Sequence, residues 1–149
     1  MTPSASGPLS ASLQSMAAMQ PLASLTQTLD AANGSQVSKI YVAQFQAFNI
    51  ELFGATGNLI GQTSGEIDGP QNIVFDKTGT LFVADFGSNS ILSYTKALTQ
   101  NAAIVNLPAS PVGLAVGPSG KLFATLYPSG EVVAYDQNGQ QTTPTIAGP

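Results

Sequence analysis

The chain has 149 residues, of which only 8% are charged: four lysines, no arginine and eight acids give a net charge of −4. Such a chain has no basic patch to neutralise phosphates, which argues against a nucleic-acid partner, and its acidity suits anionic membranes poorly. Histidine and cysteine are absent, which removes the commonest general base and metal ligand, any thiolate site and any disulfide.

Residues 1–34 are predicted to form a low-complexity leader, disordered or partly helical. The segment is rich in Ser, Ala, Leu, Met and Gln, and its first charged residue is Asp30. Leucines and methionines recur every three or four residues between Leu9 and Leu29. This spacing favours an amphipathic helix, which Pro21 would end or kink.

The leader carries no recognisable targeting signal. It has neither the basic segment nor the unbroken apolar stretch of a secretory signal peptide. It also lacks the roughly 20 apolar residues that a membrane-spanning helix needs, so no membrane span is expected. We still predict a secreted or cell-surface protein, because the low charge and the abundance of Ser, Thr, Gly, Gln and Asn resemble bacterial surface β-proteins.

The remainder of the chain repeats itself with a period of 41 residues. Residues 70–94 align with 111–135 without a gap, and residues 40–53 align with 81–94. The first alignment has six identical pairs, Pro70/Pro111, Gly79/Gly120, Leu81/Leu122, Phe82/Phe123, Ser88/Ser129 and Tyr94/Tyr135. A period of this length with strand-like content predicts the blades of a β-propeller.

Each full copy predicts four short strands in succession. In the best copy the first is residues 73–75, and the turn-type cluster 76–79 follows it. Residues 81–84 are apolar on both faces, as expected for a strand between two neighbouring sheets. Residues 90–94 predict the third strand and residues 102–107 a more variable fourth.

This pattern resembles the NHL-type propeller repeat of the gluconolactonase-like six-bladed propeller superfamily. The shared features are a Pro-led first strand, a turn with Gly, a Leu-Phe-Val-Ala-Asp strand and an aromatic residue at the end of the third strand. Gly69 to Tyr94 is the best copy, Ser110 to Tyr135 a good one and Lys39 to Phe53 a partial one. The resemblance is informative about fold and carries little information about activity.

The predicted fold is all-β, with about three four-stranded antiparallel blades in residues 35–149. The blades are expected at about 37–66, 69–107 and 110–147. The first copy is expected to lack its opening strand, because the equivalent residues, 29–34, are not strand-like.

Three blades make an incomplete ring, since propellers typically use four to eight. The sequence leaves three explanations open. The chain is a fragment of a longer propeller, two copies associate to close a six-bladed ring, or the blades stand alone as an open stack.

The predicted function is a non-catalytic binding or scaffold module that contacts a protein or saccharide through loops between strands. Enzymatic activity is the less favoured interpretation, because lyases with this type of repeat depend on histidine and the chain has none. The alternative is a metal-dependent hydrolase of sugar lactones, with its site completed by missing blades or a partner chain.

Asn72 is the one candidate metal ligand. It lies at the start of a first strand, and the resemblance implies that such positions line the channel and hold a divalent metal in sugar lactonases. Its counterpart in the next copy is Gly113, and such a site needs several converging oxygens. We therefore expect no cofactor, with Ca²⁺ or Mg²⁺ at Asn72 as the alternative and a bond from its amide to nearby backbone as the structural interpretation.

Three other residues are candidate ligand contacts. Phe48 stands where the other copies have Asn89 and Gly130, so we expect an exposed aromatic residue in a turn, which would either contact a partner or pack locally against the leader. Glu66 and Asp68 lie in the loop that leads to the second copy, where they would face either a ligand or water.

The remaining acids and aromatics are predicted to be structural. Asp85 is replaced by Gln44 and Leu126 in the other copies, and we expect it to accept backbone N–H bonds from the turn 86–89. Asp76 is expected to head its own turn in the same way. Most aromatic residues recur at equivalent positions, which favours a core between blades over a platform for a ligand; they are Tyr41, Phe45, Phe53, Phe82, Phe86, Tyr94, Phe123, Tyr127 and Tyr135.

Overall fold

The part of the chain that the structure describes is all-β, as the sequence predicts. A computed structural model describes residues 27–32, 36–63, 65, 67–104, 107–136 and 138–146. These residues contain twelve strands: β1 Gln27–Ala32, β2 Gln36–Gln44, β3 Asn49–Gly54, β4 Leu59–Gln62, β5 Pro70–Phe75, β6 Leu81–Asp85, β7 Ser90–Tyr94, β8 Gln100–Ile104, β9 Ser110–Val116, β10 Leu122–Tyr127, β11 Val132–Tyr135 and β12 Gln141–Ile146.

The strands form three separate four-stranded antiparallel sheets, each built from consecutive strands. We call them blade 1 (β1–β4), blade 2 (β5–β8) and blade 3 (β9–β12). In blade 2, Leu81 of β6 pairs with Phe75 of β5 and with Tyr94 of β7. One period later, Leu122 of β10 pairs with Val116 and with Tyr135 in the same way. The 41-residue repeat in the sequence is therefore a repeat of strand register.

The turns within blades are closed by short polar side chains. As predicted, Asp76 heads its turn: its Oδ1 accepts the backbone N–H groups of Thr78 and Thr80 at 2.9 and 2.8 Å. Asp136 of blade 3 accepts the N–H groups of Asn138 and Gln140, and Thr95, its equivalent in blade 2, accepts those of Ala97 and Thr99. Bonds of this local kind explain why Asp favours such turns.

Two apolar layers fill the spaces between the blades. The first lies between blades 1 and 2 and contains Tyr41, Ala43, Ile50, Leu52, Ile67, Ile73, Leu81, Val83, Leu92, Tyr94 and Leu98. The second lies between blades 2 and 3 and contains Ile91, Leu107, Leu122, Ala124, Leu126, Val133 and Tyr135, with Val74, Phe82 and Leu114 packed against it. Neighbouring side chains of β6 point into different layers, because successive residues of a strand face opposite sides of its sheet. Blade 2 thus has apolar residues on both faces, which is why β6 shows no polar alternation.

Several hydrogen bonds cross between neighbouring blades, among them one from the Ser110 hydroxyl to Asn89 Oδ1 at 2.6 Å. The Tyr41 hydroxyl donates to the Lys96 carbonyl at 2.8 Å, and Lys77 Nζ donates to the Pro118 carbonyl at 2.8 Å. The N–H of Leu114 donates to Asn72 Oδ1 at 3.1 Å. Because the apolar layers are non-directional, directional bonds of this type fix how each blade is placed along its neighbour.

The expectation that the first copy lacks an opening strand is wrong. Residues Gln27–Ala32, inside the segment predicted as leader, form β1 and pair antiparallel with β2, from Gln27 opposite Val42 to Ala32 opposite Gln36. The ladder bonds come from backbone groups, so pairing with β2 overrides a weak strand propensity. The rest of the predicted leader, residues 1–26, 33 and 34, lies outside the residues that the structure describes.

The fourth strand of blade 2 is Gln100–Ile104, and it begins slightly before the predicted strand 102–107.

Among the described residues, there is no helix with the length and apolar character required to cross a bilayer.

Candidate binding rim

One edge of the three blades contains two of the four candidate residues. We call this edge, where β2, β6 and β10 end, the upper rim; it consists of residues 45–48, 86–89 and 127–131 and the loop 67–69. The opposite edge, with the turns 76–80, 95–99 and 117–121, is the lower rim. Phe48 and Asp68 lie in the upper rim, whereas Glu66 falls outside the described residues.

Three aromatic side chains, one from each blade, form a row along the upper rim. The ring centroids of Phe45 and Phe86 are 6.3 Å apart in an edge-to-face arrangement, and those of Phe86 and Tyr127 are 6.0 Å apart and tilted by 40°. Both distances fall in the range of favourable aromatic pairs. Phe45 and Phe86 are half-buried, but Tyr127 is 60% exposed.

The row corrects part of the sequence-based expectation for aromatic residues. Tyr41, Tyr94 and Tyr135 do lie in the layers between blades, as predicted. Phe86 and Tyr127 recur with the same period, yet they contact each other outside those layers, at the surface. Recurrence therefore marks two kinds of position, one in the core and one on the rim.

Phe48 combines exposure with an unfavourable backbone conformation. It is 52% exposed and has φ of 55°, in the left-handed region. Asn89 and Gly130, its equivalents, also have positive φ, at 52° and 70°. Gly and Asn tolerate this conformation, whereas Phe pays roughly 1 kcal/mol for it. A half-exposed aromatic ring at a strained position gains less from burial than a core residue does, which is why it is a candidate contact residue.

The loop before blade 2 is fastened to the turn between β6 and β7. The N–H of Phe86 donates to the Gly69 carbonyl at 3.1 Å, and that of Gly87 donates to the Asp68 carbonyl at 2.6 Å. A Cβ on Gly87 would collide with the Asp68 carboxyl group, and one on Gly69 would lie 2.8 Å from the Phe45 ring. These close approaches require glycine at both positions and bring Asp68 next to the aromatic row.

Asp85 is fully buried beneath this loop. Its Oδ1 accepts the Asp68 N–H at 2.7 Å, and its Oδ2 accepts the Ser88 hydroxyl at 2.6 Å. The expected partners were backbone groups of residues 86–89; the observed ones are a hydroxyl of that turn and a backbone N–H of the preceding loop. Desolvation raises the pKa of Asp85 above its ordinary 3.8, and the two hydrogen bonds offset part of that effect.

Burial and the neighbouring Asp85 charge also raise the pKa of the Tyr94 hydroxyl to about 12. The Tyr94 hydroxyl therefore stays neutral through the physiological pH range, and it does not act as an acid toward the Asp85 carboxylate. Asp85 acts as a structural acceptor that ties the rim loop to blade 2.

Asn72 lies in β5 beside blade 3. Because its amide oxygen accepts the Leu114 N–H, the observed role is the predicted bond from an amide to nearby backbone, although the backbone belongs to the next blade. In the part of the chain that the structure describes, no three His, Cys, Asp or Glu side chains are grouped to hold a metal ion. A metal role for Asn72 stays a prediction.

Charge is divided between the two rims. Lys77, Lys96 and Lys121 lie in lower-rim turns, and Lys39 pairs with Gly54, the last residue of β3, near the same edge. These are all the lysines of the chain, which has no arginine. The upper rim and the strand end beneath it carry Asp68, Asp85 and Glu131 and no lysine, whereas Asp76 and Asp136 accompany the lysines at the lower edge.

Sequence reasoning identified Phe48 and Asp68 but missed the aromatic row. The sequence did contain a signal for the aromatic row. Phe45, Phe86 and Tyr127 are spaced by 41 residues, and each lies where a strand ends and a turn begins. An aromatic residue at that place is not needed within its own blade, which points to contact between turns.

We predict that Asp85→Asn removes a pH-dependent contribution to stability. Because the folded-state pKa of Asp85 is raised, its contribution is fully present below pH 3.8 and is lost as pH rises through the folded value. Urea unfolding between pH 4 and pH 7 should show wild type gaining stability relative to the variant as pH falls. A difference that is constant, or that reverses with pH, would contradict the burial effect.

No protein-family model and no curated protein matches the chain. Solved structures do match it. The virginiamycin B lyase of Staphylococcus aureus superposes with a TM-score of 0.66 and 17% identity, over 80% of this chain and 40% of that one. A streptogramin B lyase superposes with a TM-score of 0.67 and 21% identity, over 84% of this chain and 41% of that one. The Kuenenia stuttgartiensis hydrazine synthase superposes with a TM-score of 0.66 and 18% identity, over 74% of this chain and 34% of that one.

At these identities the likeness concerns the fold alone. The chain spans about two-fifths of the length of the two lyases. Those lyases are β-propeller proteins, and the three four-stranded sheets of this chain superpose on part of them. The described residues are therefore blades of a β-propeller.

Proposed function

We propose that the chain is a non-catalytic binding module that contacts its ligand with the upper rim. The observation that carries the proposal is the row of Phe45, Phe86 and Tyr127, which ends in a side chain that is 60% exposed. Phe48 adds a second exposed ring to the same edge, at 52%. Exposed aromatic rings on a rigid scaffold supply contact area at a low cost in side-chain entropy.

The charge distribution favours a neutral or cationic ligand. Asp68 is exposed beside the row, and all lysines lie at or near the opposite edge. An anionic ligand would meet carboxylates without a compensating cation, whereas a lysine or arginine side chain could lie over an aromatic face. Neutral saccharides and basic peptide segments are therefore the two ligand classes we propose.

We further propose that these blades belong to a longer NHL-like propeller. The lyases that share the fold are more than twice as long as the part this chain matches, which supports that interpretation. Secretion or exposure on the cell surface is proposed on composition, namely low charge and abundant hydroxyl and amide side chains.

Binding can be tested with two arrays, one of immobilised neutral oligosaccharides and one of lysine-containing heptapeptides. We expect the full chain to bind members of one array. Tyr127→Ala and Phe48→Ala should each weaken that binding about tenfold, or 1.4 kcal/mol. Leu59→Ala is the matched control, because Leu59 is 51% exposed but lies in β4, away from the rim.

Two results would overturn the rim as the binding surface. One is binding that all three variants retain, and the other is no binding to either array. A preference for an anionic probe such as heparin would overturn the electrostatic part of the proposal alone.

The metal-dependent hydrolase remains an alternative that depends on Asn72. An amide oxygen has two lone pairs, so the bond from Leu114 leaves one for a cation. Under this alternative, millimolar CaCl₂ raises the melting temperature of wild type, and Asn72→Ala abolishes that increment. Under the binding-module proposal CaCl₂ has no effect, and Asn72→Ala only lowers stability by about 1 kcal/mol, through the unpaired Leu114 N–H.

A further inference from the structure

A shallow cavity lies on the lower rim between blades 2 and 3, at the edge opposite the aromatic row. Its volume is about 410 Å³, which is within the range of small-molecule sites in proteins. The cavity forms where β5 and β9 end. Its walls come from equivalent positions of the two blades, one period apart: Phe75, Asp76 and Lys77 of blade 2, and Val116, Gly117 and Pro118 of blade 3.

The apolar part of the wall is held in place by the core. The Phe75 ring packs edge to face against Tyr41, with the ring centroids 4.9 Å apart, and Val116 packs against the second apolar layer. Phe75 and Val116 are only half-buried, and both line the cavity. A hydrocarbon group of a ligand would therefore gain the free energy of burying apolar surface against them.

One cation is fixed at this cavity. Lys77 Nζ donates to the Pro118 carbonyl at 2.8 Å, so the lysine side chain reaches from blade 2 to blade 3. An ammonium group has three N–H donors, and this bond uses one of them. Within the described part of the chain, no carboxylate forms an ion pair with Lys77. The other two donors are therefore available to an anion.

The acidic residue of the wall limits the charge that such an anion can carry. Asp76 is held in its own turn, where its Oδ1 accepts the N–H and hydroxyl of Thr78 and the N–H of Thr80. Its negative charge still lies beside Lys77 and would repel a second negative charge on a ligand. The equivalent residue of blade 3 is Gly117, which is uncharged. The charges thus favour a monoanion over a dianion such as a phosphate monoester.

We propose that this cavity binds a small organic monocarboxylate with an apolar body. The carboxylate would accept N–H bonds from Lys77 Nζ, and the apolar body would lie on Phe75 and Val116. All four lysines lie at or near the lower rim and the chain has no arginine, so cationic side chains for an anion are found only at this edge. The site is separate from the upper rim, and it does not depend on ligand binding there.

The test compares three small probes. Phenylacetate has both the carboxylate and the apolar body, phenylacetamide is its neutral counterpart, and acetate lacks the apolar body. Each is titrated into the full isotope-labelled chain while the NMR shifts of the backbone amides are followed. We expect phenylacetate to give saturable shifts at the Lys77 and Gly117 amides, with a Kd in the millimolar range that is usual for so small a ligand. Phenylacetamide and acetate should each bind about tenfold more weakly or worse.

Substitution of the lysine separates a site from a general effect of charge. Lys77→Gln should weaken phenylacetate binding about tenfold, whereas Lys77→Arg, which keeps the charge, should retain most of the affinity. Lys121→Gln is the matched control, because it removes the same charge from the lower rim at a residue that does not line this cavity. We expect its affinity for phenylacetate to stay within twofold of wild type.

Three results would overturn the proposal. The first is an equal loss of affinity in Lys77→Gln and Lys121→Gln, because the charge of the edge and not the cavity would then attract the anion. The second is equal binding of phenylacetate and phenylacetamide. The third is the absence of saturable shifts at the Lys77 and Gly117 amides when phenylacetate is added at millimolar concentration.

Discussion

The apolar layers between the blades are the constraint on which the rest of the structure depends. A four-stranded sheet of this size cannot bury both of its faces alone, so each blade is stabilised by its neighbours. This explains why β6 is apolar on both faces and why Leu81 and Phe82, adjacent in sequence, belong to different layers. It also explains why the three copies keep the same 41-residue spacing. A shift of one residue in strand register would move the side chains of one face of the sheet to the other.

Polar contacts complete what the layers leave undefined. The apolar layers provide most of the attraction but little direction, whereas the bonds from Tyr41, Lys77 and Leu114 each join two blades at a defined place. At the upper rim the same alignment brings turns of different blades together. The aromatic row is thus a product of blade stacking, and the proposed binding surface exists only while the blades are correctly placed.

The fold could be predicted because its signal is local and periodic. Strand content, the turn headed by Asp76 and the doubly apolar β6 follow from side chains near one another in sequence. β1 could not be predicted in this way, because its strand conformation comes from pairing with β2. The rim was predicted only in part: exposure of Phe48 followed from its turn position, whereas contact of Phe86 with Tyr127 and the bond from Asp68 to Asp85 depend on how separate segments meet.

The most direct test of this account compares two equivalent residues one period apart. Ile91 is fully buried between blades 2 and 3, whereas Val132 is half-buried and lines a shallow cavity on the other side of blade 3. If burial between blades holds the molecule together, urea unfolding of the chain should show that Ile91→Ala lowers the free energy of unfolding by about 3 kcal/mol. Val132→Ala should cost clearly less. Equal losses at the two positions would contradict the account.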